Sequence, residues 1–181
     1  MQRTGVDRDA LGRQLVEVAY IEGDFVLASG RRSRYYFDKY RFETRPDLLA
    51  PVAGLIADLV PPGTQRLAGP ELGAIALVAA ASLASGIAAL FVRGEAKTYG
   101  TAKRIEGPYD SGDSVVVVED VMTTGGSAIS AARALAEAGC RVTRVIGVID
   151  REEGAAEALR TAGLEMTAVF TRSELERYLP R

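Results

Sequence analysis

The sequence predicts an α/β fold: a mainly parallel central sheet flanked by helices, with a small N-terminal hood made of a helix and a β-hairpin. Three observations carry this reading. From residue 66 onward, short branched runs alternate with Ala-rich helical stretches, the order that builds a parallel sheet covered on both faces. The run Val115-Val116-Val117-Val118 shows no polar alternation, as a strand buried on both faces requires. The first 44 residues lack this alternation and instead hold one helical period and two aromatic or branched runs around a Gly-Arg turn.

In chain order, Leu11, Leu15, Val18 and Ala19 give a helical period to Asp9–Ile21, with Asp7 or Asp9 as N-cap. Phe25-Val26-Leu27-Ala28 and Tyr35-Tyr36-Phe37 flank Ser29-Gly30-Arg31-Arg32-Ser33 and form the hairpin. Pro46 opens a helix that runs to about Val60 and stops at Pro61-Pro62-Gly63. Strand Arg66–Ala68, helix Ala74–Ser85 and strand Ile87–Val92 follow, then a polar, Gly-punctuated stretch from Gly94 to Asp113. The chain continues with strand Val115–Glu119, helix Gly126–Ala138, strand Val142–Ile149, helix Gly154–Ala162, strand Met166–Phe170 and a helix from Ser173. One domain is expected over 1–181, with hood elements in 1–44, the α/β core in 45–172 and the C-terminal helix in 173–181.

Composition narrows the functional classes. The 181 residues are 48% hydrophobic and 25% charged with a net charge of -2, so a broad nucleic-acid footprint is not expected. Arg31, Arg32 and Arg34 fit a solvated hairpin. The single cysteine, Cys140, rules out an intrachain disulfide and reads as a small packed residue. The chain has no histidine, which removes Ser-His-Asp triads, Cys-His pairs, histidine zinc sites and imidazole bases together. Its start carries no apolar signal core, so a cytoplasmic location is expected. Ala74 to Val92 is uncharged, but Ser82, Ser85 and Gly86 break it into helix, turn and strand, and no membrane span is expected.

The chemistry concentrates after the valine run. Glu119 and Asp120 emerge at the carboxyl end of that strand, where open α/β sheets hold their ligands. Val121-Met122-Thr123-Thr124-Gly125-Gly126-Ser127 then supplies hydroxyls and backbone N–H groups for an anion at a helix start. An anion cradle beside two carboxylates suits a phosphorylated sugar, phosphate on the loop and vicinal hydroxyls on the acids. Neither G-x-x-x-x-G-K-[ST] nor any G-x-G is present, which excludes the common nucleotide and dinucleotide loops.

Residues 115–127 resemble the 5-phosphoribosyl-1-pyrophosphate (PRPP) signature of type I phosphoribosyltransferases. Four other segments resemble the orotate phosphoribosyltransferase subfamily: the hood motif Phe25–Asp38, the pyrophosphate-side loop Gly69–Ala76, the mobile loop Val92–Gly107, and Asp150–Ala155 at the base-facing strand end. The resemblance implies transfer of phosphoribose from PRPP to N1 of orotate, giving orotidine 5′-monophosphate and pyrophosphate in pyrimidine synthesis. It implies that Glu119 and Asp120 hold the ribose hydroxyls, that Val121 to Ser127 hold the 5′-phosphate, and that Arg93, Lys97 and Tyr99 face pyrophosphate. It further implies that Leu72 and Gly73 offer backbone amides and that Tyr36, Phe37, Thr123 and Arg151 face orotate. Mg²⁺ is expected through PRPP and waters, with no dedicated protein ligands. A homodimer sharing loop 94–107 across its interface is also implied.

Read without the resemblance, Tyr36 and Phe37 also fit plain core, and Arg151 a strand-end cap. The chain departs from the family's loop pattern, R-K-x-x-K-x-H-G, at Gly94 and Tyr99, and carries Ala28 where many members have a hood cation. These departures keep two alternatives open: a phosphoribosyltransferase for another base, or a PRPP-binding regulator with little turnover.

Overall fold

The computed structural model describes residues 5–26, 30, 32–94 and 103–179. Helix α1 (Arg8–Ala19) starts where the Asp7 carboxylate accepts the Ala10 N–H at 3.0 Å, and it buries Leu11, Leu15, Val16 and Ala19. It passes directly into β1 (Tyr20–Val26), which pairs antiparallel with β2 (Arg32–Phe37) from Tyr20↔Phe37 onward. The hairpin therefore begins earlier than its aromatic run suggests, and the helix ends short of Ile21. Strand pairing and the stacking of Tyr20 on Tyr35, with ring centroids 5.4 Å apart, override the helical period there. The single turn α2 (Tyr40–Glu43) has no counterpart in the sequence reading, whereas α3 (Pro46–Leu59) begins at its proline as expected.

The core elements follow in alternation: β3 (Arg66–Pro70), α4 (Ala74–Ser85), β4 (Ala88–Val92), β5 (Ile105–Glu106), β6 (Ser114–Met122), α5 (Gly126–Glu137), β7 (Arg141–Asp150), α6 (Ala155–Thr161), β8 (Glu165–Thr171) and α7 (Arg172–Glu176). The strands lie in the order β5-β4-β3-β6-β7-β8, and every pairing is parallel except β4 with β5. From β3 the chain winds outward to β4, and from β6 it winds the other way to β7 and β8. The carboxyl ends of β3 and β6 thus flank a topological switch point, where open sheets form a ligand crevice.

The valine run shows why the sheet is covered on both sides. Val116 and Val118 enter one buried cluster with Leu15, Ile56, Leu77 and Phe170, while Val115 and Val117 enter the other with Ala131, Leu135 and Leu159. Each such side chain contributes roughly 1.5–3 kcal/mol by leaving water. Gly69 lets α4 settle onto β3, because a Cβ there would lie 2.8 Å from the Ala74 carbonyl oxygen and from a Val78 methyl. Ala74 to Val92 is a twelve-residue helix, a left-handed Gly86 with φ 73° and a strand, and no described helix is long and apolar enough to cross a membrane.

The first and last helices meet at the side of the sheet. Arg8 donates to both Glu174 carboxylate oxygens at 2.9 and 2.8 Å and to the Val169 carbonyl at 2.7 Å, and its guanidinium lies 4.7 Å from the Phe170 ring centroid. Glu174 also closes the capping box of α7 with Thr171, and the Tyr178 hydroxyl donates to Asp9 at 2.7 Å.

Candidate active site

Strand β6 runs past its valines to Met122 because Val121 and Met122 pair with Ile149 and Asp150 of β7. The acid pair therefore sits inside the strand and is almost hidden, Glu119 at 6% and Asp120 at 4% exposure. Successive residues of a strand face opposite sides, so the two carboxylates diverge. Glu119 shares the face of Val117 and meets the start of α5, where the Ser127 hydroxyl favours its charged form. Asp120 shares the face of Val118 and meets the hood, where Lys39 forms an ion pair with its Oδ2. The Val121 N–H donates to the other Asp120 oxygen.

This burial changes the acid chemistry. Desolvation, then the charge of Asp120, pushes the Glu119 carboxyl up to about 7, against the pull of Ser127 and Lys39. Its Oε1 accepts the Asp120 N–H at 3.3 Å, while its buried Oε2 has no hydrogen-bond partner among the described residues. A third acid, Glu43, lies one helical turn beyond Lys39 and is 4% exposed. Burial, then the charge of Asp120, raises it to about 8, and its Oε1 also has no partner. A chain without histidine thus holds two groups that titrate near neutral pH.

The loop after β6 fits an anion. Gly125 takes the left-handed conformation, φ 78°, which favours glycine, and no side chain caps the N-terminus of α5. Thr124, Gly126 and Ser127 are exposed and Thr123 is half-buried, whereas the Met122 side chain is 1% exposed in the core. Met122 instead contributes its carbonyl, which accepts the Arg151 N–H at 2.9 Å and joins the ends of β6 and β7.

Across the crevice lies the turn between β3 and α4. Leu72 is 71% exposed, and a Cβ built on Gly73 would overlap both the Asp120 carboxylate and the Lys39 ammonium. Glu71 ties this turn to the root of the next loop: it accepts the Gly94 N–H at 2.8 Å and lies 3.8 Å from the Arg93 guanidinium. The Arg93 N–H donates to the Arg104 carbonyl at 2.8 Å, so both ends of the loop are held together. Lys97, Tyr99 and Ala28 lie outside the described residues.

The base-facing candidates separate. Tyr36 is exposed and packs on Phe25 at 5.5 Å, while Phe37 is 7% exposed and meets Phe42 edge-on, its ring within the core. Arg151 is 5% exposed, pairs with Glu153 at 2.9 Å and lies over Tyr35, whose hydroxyl accepts from it at 3.3 Å. Phe37, Tyr35 and Arg151 line one small cavity between the hairpin and α7. Lys39, Glu43, Glu71 and Tyr35 escaped the sequence reading as site residues. The four-residue spacing of Lys39 and Glu43 was the available signal.

The doubly wound sheet thus brings two buried acids and a glycine-opened helix start together at its switch point. Residues 76–163 match the phosphoribosyl transferase domain family. An orotate phosphoribosyltransferase of Methanocella arvoryzae is 49% identical over 158 residues, covering 87% of this chain and 90% of its own. The structure of Mycobacterium tuberculosis orotate phosphoribosyltransferase with Fe(III) dicitrate superposes with a TM-score of 0.84 at 35% identity, over 94% of this chain and 99% of that one. The same protein in complex with PRPP gives a TM-score of 0.80 at 32% identity, over 94% and 99% of the two chains. The chain belongs to the orotate phosphoribosyltransferase family of type I phosphoribosyltransferases.

Proposed function

We propose that the protein is an orotate phosphoribosyltransferase that moves the 5-phosphoribosyl group from PRPP to N1 of orotate, for pyrimidine synthesis in the cytoplasm. The observation that carries this is the buried, diverging pair Glu119 and Asp120 directly before the glycine-opened start of α5. Its setting in relatives named orotate phosphoribosyltransferases supports orotate as the base. The single domain of 1–181 does this work.

In the reaction, N1 of orotate bonds to C1 of the ribose as the bond from C1 to the pyrophosphate oxygen breaks, and that electron pair leaves with pyrophosphate. N1 reacts as an anion, so no strong base is needed in a chain without histidine. Glu119 and Asp120 accept hydrogen bonds from the ribose hydroxyls, and their charge lies near the cation that develops on the ring. Thr123, Thr124, Gly125, Gly126 and Ser127, with the backbone of Val121 and Met122, hold the 5′-phosphate. Leu72 and Gly73 supply backbone N–H groups, and Arg93, Lys97 and Tyr99 face the departing pyrophosphate. Thr123 and Arg151 form the orotate side, Arg151 presenting its planar fork beside Tyr35, while Phe37, with its ring in the core, supports that side from behind and Tyr36 lies exposed against Phe25.

Among the described residues no cluster of three acidic, cysteine or histidine side chains is placed to hold a metal ion. Mg²⁺ would be carried by the phosphate oxygens of PRPP and its waters. When bound, Mg²⁺ supplies charge neutralisation for the leaving pyrophosphate. We further infer a homodimer in which loop 94–107 serves the partner's site.

The test is a base panel of orotate, uracil, hypoxanthine, guanine, xanthine and adenine with PRPP and Mg²⁺, reading pyrophosphate release. Release with orotate alone is expected. Release with another base and not orotate overturns the assignment, and release with none favours a PRPP-binding regulator.

A further inference from the structure

We propose that Lys39 is a pyrophosphate-binding residue, a cation delivered by the hood to the Glu71–Gly73 turn, and that its ion pair with Asp120 is the resting position from which it transfers to substrate. This rests on the phosphoribosyl-transfer reading above and assigns a residue that reading leaves without a role.

Placement carries the inference. The Lys39 ammonium reaches Asp120 Oδ2 and also crowds the space a Gly73 Cβ would take. It therefore lies where the ribose-holding strand end and the pyrophosphate-side turn meet, beside both halves of the bond to be broken. Its side chain is 25% exposed while that of Asp120 is 5% exposed, so the crevice opens on the lysine and not on the acid. A residue needed only to neutralise a buried acid has no reason to face the opening.

Mobility and charge agree with this placement. The Lys39 backbone is fixed, its carbonyl accepting the N–H groups of Phe42 at 3.1 Å and Glu43 at 3.0 Å. The four-carbon stem has rotatable bonds, so the ammonium can exchange Asp120 for a new partner without moving α2, while remaining beside the Tyr40 ring 5.3 Å away. Nearby, Arg93 faces Glu71, and Gly94 contributes no charge where the family pattern carries a lysine. When ribose hydroxyls donate to Asp120, they replace the lysine's hydrogen bond. The ammonium then gains more from pyrophosphate oxygens, which bear more charge than one carboxylate already shared with the Val121 N–H.

Calorimetry on the full chain separates this role from a purely structural one. Mg²⁺-pyrophosphate has no ribose hydroxyls and makes no demand on Asp120, whereas ribose 5-phosphate does. Lys39→Met should weaken Mg²⁺-pyrophosphate binding by about ten-fold or more, the worth of one charge-assisted contact, and leave ribose 5-phosphate affinity little changed. The same loss should appear when Lys39→Met is added to Asp120→Asn. That background leaves no unpaired carboxylate, so the comparison stands even if the single variant fails to fold. Pyrophosphate affinity indifferent to Lys39→Met, or a loss that vanishes in the Asp120→Asn background, overturns the proposal. Wild-type protein that binds neither ligand overturns the phosphoribosyl-transfer reading with it; wild-type protein that binds both, with no Lys39 effect, overturns this proposal alone.

Discussion

Replacing Glu43 with Gln should stabilise the protein, and increasingly so as the pH rises. Glu43 is buried against Asp120 and Lys39, and its carboxyl is raised from 4.5 to about 8. Below pH 4.5 the acid is protonated in folded and unfolded chains alike, and its ionisation costs nothing. Between 4.5 and 8 the unfolded chain ionises it while the folded chain holds the proton, so wild-type stability falls steadily through that window. Above 8 both forms are ionised and the full cost is present. At about 1.4 kcal/mol per pH unit the interval sets a ceiling near 5 kcal/mol, and relaxation around the charge leaves about 2–3 kcal/mol. Gln keeps the shape and removes the titration. Urea unfolding of both proteins from pH 4.5 to 9 reads the difference directly, with Glu119, raised in the same direction, present in both. A difference that stays flat across the range would falsify the assignment of Glu43 as a buried, protonated acid.

Three other perturbations test the site. Gly73→Ala places a methyl on the Asp120 carboxylate and the Lys39 ammonium, and should lower kcat/KM about 10²-fold with a native circular-dichroism spectrum; near wild-type turnover refutes the close approach. Among the described residues a Cβ at Gly94 meets Glu71 Oε1 alone, at 3.5 Å, so Gly94→Lys should raise kcat/KM for PRPP about ten-fold by adding a cation at the pyrophosphate turn. A fall in rate instead means that the loop works by another arrangement. Asp120→Asn and Lys97→Ala should each lose about 10²-fold in activity, and mixing them should restore activity if the loop serves the partner's site; no recovery after verified subunit exchange counts against the shared site.

Where one period ruled, the sequence was easy to read. Four valines fixed β6 and its two-sided burial, Pro46 fixed the start of α3, and Gly86 the end of α4. Prediction faltered where long-range pairing decided. The extension of β6 to Met122 depends on β7, and the early start of β1 depends on Tyr35, fifteen residues away from Tyr20. Within the site, the acid pair and Gly125 are local signals, an abrupt change of residue type at a strand end. For Lys39 and Glu43 the four-residue spacing links them only to each other, because a lysine becomes the partner of Asp120 only once the hood folds over the sheet across 81 positions. Neither could composition show that two carboxylates would titrate near neutral pH, since burial sets that.

Chain ends commonly fray independently, yet the contacts of Arg8 with Glu174, Val169 and Phe170 make the polypeptide a ring closed by side chains. Glu174 serves this closure and the cap of α7 with one carboxylate, so the last helix and the first are anchored by a shared group. Truncation before Glu174 would unseat α1 as well as α7, and the hairpin hung directly from α1, with its Tyr20 and Tyr35, would lose its footing beside Arg151. Damage at the tail would thus be felt at the hood.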